Sequence, residues 1–192
     1  TGAPSEHSLR CQTETNFDGT GNVFSKVRTK IIGLGNVTQF CRTDRIVEAE
    51  GGKPLAVFEQ KYRFRDESSP VPYVDFQDFN FRAALQVEKQ LGSDTNLVRN
   101  IVRDWDDSEK SFRFMNRTTF ENPDYPFRVD VSIVKSSPAK RGAKRGAKRF
   151  KDSGVMEAFE HYEIEIEVDN EKIGEGTAYT TAEALGQGLR KV

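Results

Sequence analysis

The sequence has few of the residues that build sites from sulfur and imidazole. It contains two cysteines, Cys11 and Cys41, and two histidines, His7 and His161. Two cysteines are too few for a disulfide framework or a zinc cluster, and two histidines do not make a histidine-rich metal centre. The sequence also offers no serine–histidine or cysteine–histidine pair as a nucleophile with its base. Any chemistry is therefore expected from charged groups.

Long apolar runs are also missing. No run approaches the roughly 18 residues that a membrane-spanning helix needs, and residues 1–10 lack the pattern of a secretory signal peptide. The chain is therefore expected to be intracellular, in a reducing compartment, with no membrane partner. Its 192 residues, 35% of them hydrophobic and 14 of them phenylalanine, are enough to bury a core.

The formal net charge of −1 hides an uneven distribution. Residues 140–151 contain seven basic side chains and no acidic one. Removing these seven from the 29 basic residues leaves 22 against 30 acidic ones, a net charge of −8. Residues 138–151 are predicted to form a low-complexity loop, built on a repeated Ala-Lys-Arg-Gly unit. The loop is either simply solvated or an electrostatic site for RNA phosphates, with these candidates: Lys140, Arg141, Lys144, Arg145, Lys148 and Arg149.

Most of the remaining chain alternates apolar and charged residues with period two, which predicts strands. The predicted strands cover residues 24–32, 56–65, 79–88, 112–120, 127–135 and 162–168. Helical spacing predicts helices at 95–105 and 180–192 and a short one at 37–47. Residues 1–22 are expected to be a flexible lead-in to a single domain, 23–192. The fold class is a β-dominated α+β domain with an antiparallel sheet.

Two arrangements fit strands that have one apolar and one charged face. A sheet can be packed on one side and solvated on the other. Alternatively, a closed barrel can hold the charged side chains in its lumen, with its apolar faces covered by helices. Composition alone favours the sheet that is packed on one side, and the closed barrel is the alternative.

The run Glu163-Ile164-Glu165-Ile166-Glu167 is the most informative stretch. In an extended strand it places three carboxylates on one face, about 6.6–6.8 Å apart. Like charges in a row repel, so positive charge is needed nearby. Neighbouring lysines and arginines can supply it at a solvated sheet edge. Inside a barrel, carboxylate oxygens at this spacing suit Mg²⁺ or Mn²⁺.

Basic residues recur on the charged faces of the other predicted strands. They include Lys26, Arg28, Lys30, Lys61, Arg63, Arg82, Arg113, Arg117, Arg128 and Lys135. Cations opposite metal-binding carboxylates are what a polyphosphate requires, because phosphoryl transfer is catalysed by positioned charge. The chain has no Gly-x-x-x-x-Gly-Lys-Ser/Thr phosphate loop, so phosphate chemistry here is not of the P-loop kind.

Two motifs together carry a resemblance to a known family. They are Phe127-Arg128-Val129-Asp130 and Tyr162-Glu163-Ile164-Glu165-Ile166-Glu167-Val168, with Asp78-Phe79-Asn80-Phe81-Arg82 and Phe112-Arg113-Phe114 upstream. The region from about Val27 to Val168 resembles the RNA 5′-triphosphatase domain of mRNA capping enzymes from large DNA viruses, which are triphosphate tunnel metalloenzymes.

The resemblance implies an antiparallel eight-stranded tunnel that removes the γ-phosphate of nascent RNA. It implies metal binding by Glu163, Glu165 and Glu167, with Mg²⁺ or Mn²⁺ as the cofactor. It implies catalytic roles for Glu165, Arg128, Asp130 and Arg117, and phosphate binding by Lys61, Arg63, Arg82, Arg113 and Lys135. The implied partners are 5′-triphosphate RNA and a guanylyltransferase or methyltransferase capping module, fused or separate. The implied location is the host cytoplasm, or a virus particle into which the protein is packaged.

The chain departs from that family at the first strand. In the family, this strand carries a second Glu-x-Glu motif. The only such motif upstream is Glu48-Ala49-Glu50, which comes too late in the order, so the first strand is expected to be absent. Lysines of the family are replaced by Met115 and Asn116. Two alternatives therefore stay open. One is a catalytically degenerate tunnel fold that binds RNA or a protein, and the other is a hydrolase of free nucleoside triphosphate or polyphosphate.

Overall fold

The computed structural model describes residues 5–16, 22–24, 26–47, 55–63, 73–137 and 146–191. The strands in these ranges are β1 (Glu6–Asn16), β2 (Asn22–Phe24), β3 (Val27–Ile32), β4 (Val57–Arg63), β5 (Tyr73–Phe76), β6 (Phe81–Ala84), β7 (Gln86–Leu91), β8 (Lys110–Glu121), β9 (Phe127–Ser136) and β10 (His161–Val168). The α-helices are α1 (Leu34–Thr43), α2 (Asn96–Arg103) and α3 (Ala182–Leu189). Short 3₁₀ turns occur at Gln77–Phe79, Phe150–Asp152 and Asn170–Lys172.

One antiparallel sheet organises the domain. Its strand order is β10-β9-β8-β1-β3-β4-β7, and β2 pairs with β1. The sheet is curled, and Arg113 on β8 reaches across β9 to form an ion pair with Glu163 on β10. Within the described ranges β10 and β7 do not pair, so the sheet is a half-barrel. The β-dominated α+β prediction is confirmed, and the closed eight-stranded tunnel is wrong for this part of the chain.

The segment predicted as one strand at 79–88 explains part of the difference. It is divided between β6 and β7, with Leu85 between them. Asn80 adopts a left-handed backbone conformation, φ 51°, which turns β5 back onto β6. β5 and β6 consequently form a separate two-stranded sheet, and only β7 joins the half-barrel.

The lead-in predicted for residues 1–22 is wrong for residues 6–16. These form β1, which lies inside the sheet and pairs with β3 on one side and with β8 on the other. Leu9, Cys11 and Thr13 alternate into the core and are at most 3% exposed. The strand was hard to predict because only Leu9 is a large aliphatic residue, and Cys11 and Thr13 do not read as a hydrophobic pattern.

The apolar face of the sheet packs against the helices and builds the core. Phe40 of α1 lies edge-on to Trp105, which follows α2, and tilted against Phe112 of β8. The indole nitrogen of Trp105 donates a hydrogen bond to the carbonyl oxygen of Asp44 at 2.8 Å, which ties the end of α1 to the end of α2. None of the described helices is long and apolar enough to cross a membrane.

The helix predictions are confirmed, with shifted ends. The side chain of Thr95 accepts a hydrogen bond from the backbone of Val98 and begins α2. Thr181 caps α3 in the same way, accepting from Ala184 at 3.1 Å. The short helix predicted at 37–47 lies three residues earlier, because α1 begins at Leu34 and ends where Asp44 turns left-handed.

Candidate metal and anion site

The charged side chains predicted to share a face do so on the side of the sheet opposite the core. Cross-strand register places Glu165 opposite Asp130, Thr119 opposite Asp130, and Arg10 opposite both Arg113 and Lys30. We call this surface the polar face. It comprises Glu163, Glu165 and Glu167 of β10, Arg128, Asp130 and Ser132 of β9, Arg113, Arg117 and Thr119 of β8, Arg10 of β1, Arg28 and Lys30 of β3, Glu59 and Lys61 of β4, and Glu88 of β7.

Three carboxylates converge at one end of the polar face. One carboxylate oxygen each from Asp130, Glu165 and Glu167 can be chosen so that all lie within 4.8 Å of one another. Asp130 is 2% exposed, whereas Glu165 is largely open to solvent. We call these three residues the carboxylate trio. Glu163, which the sequence grouped with Glu165 and Glu167, lies apart from them because it pairs with Arg113.

Arg117 binds two members of the trio at once. Its guanidinium donates to Asp130 Oδ2 and to Glu165 Oε2, both at 2.6 Å, and to the hydroxyl of Ser132 at 3.2 Å. The other oxygen of Asp130 accepts a hydrogen bond from the Thr119 hydroxyl at 2.6 Å. Asp130 therefore has a charged and a neutral donor, which satisfies a carboxylate that burial would otherwise destabilise.

Arg128 completes the set of arginines around the trio. Its guanidinium nitrogens lie 2.5 Å and 3.1 Å from Glu167 Oε2. The hydrogen bond that Arg128 donates to Glu167 is the main reason why the pKa of Arg128 is raised above its ordinary value. Each carboxylate of the trio thus contacts at least one guanidinium, so a metal ion would compete with arginine for the same oxygens.

The donor set of the trio fits a hard divalent cation. Mg²⁺ and Mn²⁺ prefer oxygen ligands, commonly one or more carboxylates completed by water and phosphate oxygens. Asp130, Glu165 and Glu167 provide carboxylate oxygens from two adjacent strands. The exposure of Glu165 leaves room for water and for a phosphate ligand.

Arg10 lies at the centre of the polar face and was missed by the sequence analysis. Burial, together with the nearby cations Arg28 and Arg113, lowers the pKa of Arg10 from 12.5 to about 10. Burial is the largest of these causes. Glu163 and Glu165 act in the opposite direction. No acidic side chain in the described ranges forms an ion pair with Arg10. Arg10 therefore stays charged at neutral pH without full compensation, which favours binding of an anion.

At the far end of the polar face each basic side chain contacts one carboxylate, and two of the three basic residues are lysines. Lys61 lies 2.8 Å from Glu88, and Lys30 lies 2.8 Å from Glu59. Arg28 approaches Glu88 at 3.7 Å. We call these five residues the lysine end, and the trio with Arg113, Arg117, Arg128 and Glu163 the acidic end.

Two predicted phosphate ligands, Arg82 and Lys135, lie away from this site, and the structure does not test a third, Arg63. Arg82 lies on the β5–β6 hairpin, where it forms two hydrogen bonds with Asp75 and lies over the ring of Tyr73. Lys135 projects from the opposite face and contacts Glu160 at 3.6 Å and the carbonyl oxygen of Met156 at 3.0 Å. Arg63 ends β4 opposite Gln86, and its side chain lies outside the described part. Lys61 and Arg113 are on the polar face, as predicted.

The basic loop is described only from Gly146 onward. Ala147 forms a two-way backbone bridge with Lys110, and Lys148 lies 4.0 Å from Asp107. Arg149 is exposed. Lys140, Arg141, Lys144 and Arg145 lie outside the described residues, as does Glu48-Ala49-Glu50.

A strand does precede those that the sequence predicted. The polar-face positions of β1 begin with Glu6 and continue with Ser8 and Arg10, and Glu6 lies opposite Arg117 in the register. Where the resemblance implies Glu-x-Glu on a first strand, this strand has Glu6-His7-Ser8. The expected absence of a first strand is thus corrected, but the second glutamate is a serine. The signal that could have revealed β1 is the alternation of Ser8, Arg10 and Gln12 with Leu9, Cys11 and Thr13.

Comparison with known proteins finds no matching family model, no matching curated protein and no matching solved structure. The resemblance to capping triphosphatases therefore stays a prediction. What the chain can do chemically is argued from the polar face itself.

Proposed function

We propose that the chain is a metal-dependent RNA 5′-triphosphatase. The observation that carries the proposal is the juxtaposition, on one concave face, of the carboxylate trio and an undercompensated cation, Arg10. A triphosphate with its metal ion needs both kinds of group on one surface, because the metal and the guanidinium groups neutralise different phosphate oxygens.

Each group of the site has a role that its position allows. Asp130, Glu165 and Glu167 would hold Mg²⁺ or Mn²⁺, which when bound supplies polarisation of the γ-phosphoryl group. Arg10, Arg113 and Arg117 bind phosphate oxygens and stabilise the charge that shifts onto them during transfer. Glu165, the exposed member of the trio, orients the attacking water.

The reaction transfers a phosphoryl group to water. The water oxygen forms a bond to the γ-phosphorus while the bond from that phosphorus to the β–γ bridging oxygen breaks. The bridging oxygen retains the bonding electrons, and the proton that the water loses passes to solvent. The products are inorganic phosphate and an RNA with a 5′-diphosphate. A guanylyltransferase capping module, which uses such an end, is the partner that we propose.

The open half-barrel is compatible with this role. Among the described residues nothing joins β10 to β7, and access to the polar face between these strands would let an RNA chain stay in solvent while its 5′ end lies against β8, β9 and β10. Selectivity for RNA then depends on groups outside the acidic end. The basic loop, for which Lys148 and Arg149 are described as exposed, is the proposed source of that contact.

The proposal is tested by phosphate release from triphosphate-ended RNA with Mg²⁺ or Mn²⁺. Glu165→Ala should abolish release without unfolding the protein, since Glu165 is exposed. Glu88→Ala, at the lysine end, is the matched control and should retain most activity. Equal release by wild type and Glu165→Ala would contradict the proposal.

The substrate comparison separates the alternatives. Faster hydrolysis of ATP or inorganic tripolyphosphate than of RNA would indicate the nucleotide or polyphosphate hydrolase. Binding of triphosphate-ended RNA by the wild-type chain without any release would indicate a degenerate binding module.

A further inference from the structure

An apolar pocket lies on the other side of the sheet, away from the polar face. It has a volume of about 360 Å³ and lies between α1, β8 and residues 150–156. Val37, Cys41, Phe114 and Phe150 contribute its walls. Arg42 also lines it and is exposed. In the described part of the chain no carboxylate pairs with Arg42.

A phenylalanine close to the pocket is almost completely solvated. Phe159 is 91% exposed, the highest value among the exposed large apolar side chains of the described residues. It follows the pocket residue Met156 by three positions, and Glu157 and Glu160 flank it. The chain therefore presents an aromatic side chain between two carboxylates next to an apolar pocket with an arginine in its wall.

The sheet beside this segment is also uncovered. Five apolar side chains of β9 and β10, on the same side of the sheet as the pocket, are between 37% and 73% exposed: Val131, Ile133, Tyr162, Ile164 and Ile166. We call them the outer patch. α1 and α2 cover the strands in the middle of the sheet, so the outer patch extends the core face beyond its helices. Extended apolar patches of this kind commonly mark protein interfaces.

We propose that a second copy of this chain covers this surface in a two-fold symmetric dimer, in which Phe159 of each copy enters the pocket of the other. Charge complementarity favours this occupant: Glu157 of one copy, which has no basic partner among the described residues, approaches Arg42 of the other, whereas Glu160 is already contacted by Lys135 of its own copy. Because Phe159 and the pocket are near neighbours on one surface, a two-fold axis between them satisfies both contacts at once. The outer patch has no charged side chain, so it can pack against its counterpart without like-charge repulsion.

The alternative pairing of two copies is disfavoured by charge. In the described part of the chain β10 is an edge strand, and joining two β10 strands edge to edge in antiparallel register would bring Glu163, Glu165 and Glu167 against the same residues of the copy. Like charges directly opposite are destabilising in a sheet. Face-to-face packing of the outer patch leaves the hydrogen-bonding edge of β10 and the polar face of each copy free.

Sedimentation across a concentration series tests the dimer. The wild type should associate reversibly, and Phe159→Ala should weaken the dimer by about a hundredfold, since two Phe side chains are withdrawn from pockets and each is worth roughly tenfold or more. Arg42→Glu should weaken it too. Leu85→Ala, on the β5–β6 side of the molecule and 61% exposed, is the matched control and should change nothing.

A cross-link identifies the surface. Glu157→Cys and Glu160→Cys each retain Phe159 and place a thiol beside it, and Cys41 lies in the pocket wall. With at least one of the two variants, mild oxidation should form a disulfide between the introduced cysteine of one copy and Cys41 of the other. The covalent dimer should not form when the same variant also carries Cys41→Ser. A monomeric wild type at the highest soluble concentration overturns the proposal. So does a dimer that neither Phe159→Ala nor Arg42→Glu weakens. Phosphate release by Phe159→Ala should equal that of the wild type. If the dimer proposal fails, the proposed activity is therefore not contradicted.

Discussion

The acidic end and the lysine end of the polar face contain the same kinds of charge but connect them differently. At the acidic end, Arg117 donates to two carboxylates and one hydroxyl, and Asp130 is buried beneath it. At the lysine end, each amine meets one carboxylate, and the shared partner, Glu88, has a side chain that is 46% exposed. Multiple hydrogen bonds hold the first arrangement in one geometry, whereas single contacts in water are easily exchanged.

This difference suggests that the acidic end and the lysine end have different functions. A metal and a reacting phosphoryl group require fixed ligands, which the acidic end provides. The lysine end provides positive charge without fixed geometry, which suits the remaining phosphates of a substrate. Arg10 lies between the two ends and has like-charged neighbours from both.

The largest expected effect follows from replacing Arg10. Arg10→Gln should lower kcat/KM for triphosphate hydrolysis by about a hundredfold or more, the range for losing a charged donor in a preorganised site. Folding stability should not fall, because Arg10 is repelled by Arg28 and Arg113 and is not paired with any described acid. Steady-state kinetics and urea unfolding measure the two quantities. Lys30→Gln is the control from the lysine end and should lose far less activity. Equal losses from the two variants would remove the distinction between the ends.

The sequence predicted which kinds of residue form the site better than it predicted which of them lie next to one another. The alternation of Glu163, Glu165 and Glu167 with isoleucine established which side chains share a face, because a strand leaves no other choice. It could not show that Asp130 replaces Glu163 beside Glu165 and Glu167. That depends on the register of β9 and β10 and on the reach of Arg113, both of which are tertiary. The alternation likewise could not assign a curvature to the sheet. Composition favoured a sheet packed on one side, and the closed tunnel was predicted from the resemblance.

The next effect concerns folding stability at the acidic end. Asp130→Ala should lower the free energy of unfolding by about 2 kcal/mol, since it leaves Arg117 and Thr119 without their buried acceptor. Chemical denaturation measures it. Glu167→Ala is the matched control, because its partner Arg128 is exposed and can be solvated, and its effect should stay below about 1 kcal/mol. If both substitutions destabilise equally, burial of Asp130 is not what distinguishes this end.

A smaller effect is expected on metal affinity. Because Arg117 occupies oxygens of Asp130 and Glu165, Arg117→Gln should tighten Mn²⁺ binding, by a few-fold to tenfold, the order expected from removing one neighbouring positive charge in a partly solvated site. Activity should fall in the same variant, since a phosphate ligand is lost. Titration followed by the electron paramagnetic resonance of free Mn²⁺ separates the two effects. Lys61→Gln should leave Mn²⁺ affinity unchanged, and a weaker Mn²⁺ complex in Arg117→Gln would show that arginine does not compete with the metal.

The smallest effect is expected at Glu88, where pH provides the test. Burial alone would raise the pKa of Glu88, but the hydrogen bond from Lys61 and the charges of Lys61, Lys30 and Arg28 outweigh it and lower the pKa below its ordinary value of 4.5. A carboxyl group whose pKa is lowered by folding stabilises the protein above its unfolded-state pKa and loses that contribution as the pH falls through the folded-state pKa. Glu88→Gln should therefore be less stable than wild type at neutral pH, by about 0.5 kcal/mol as for other exposed pairs. The difference should disappear well below pH 4.5, where Glu88 is protonated in both states. Thermal unfolding at several pH values measures it. A difference that persists in acid would mean that Glu88 contributes through packing of its side chain and not through its charge.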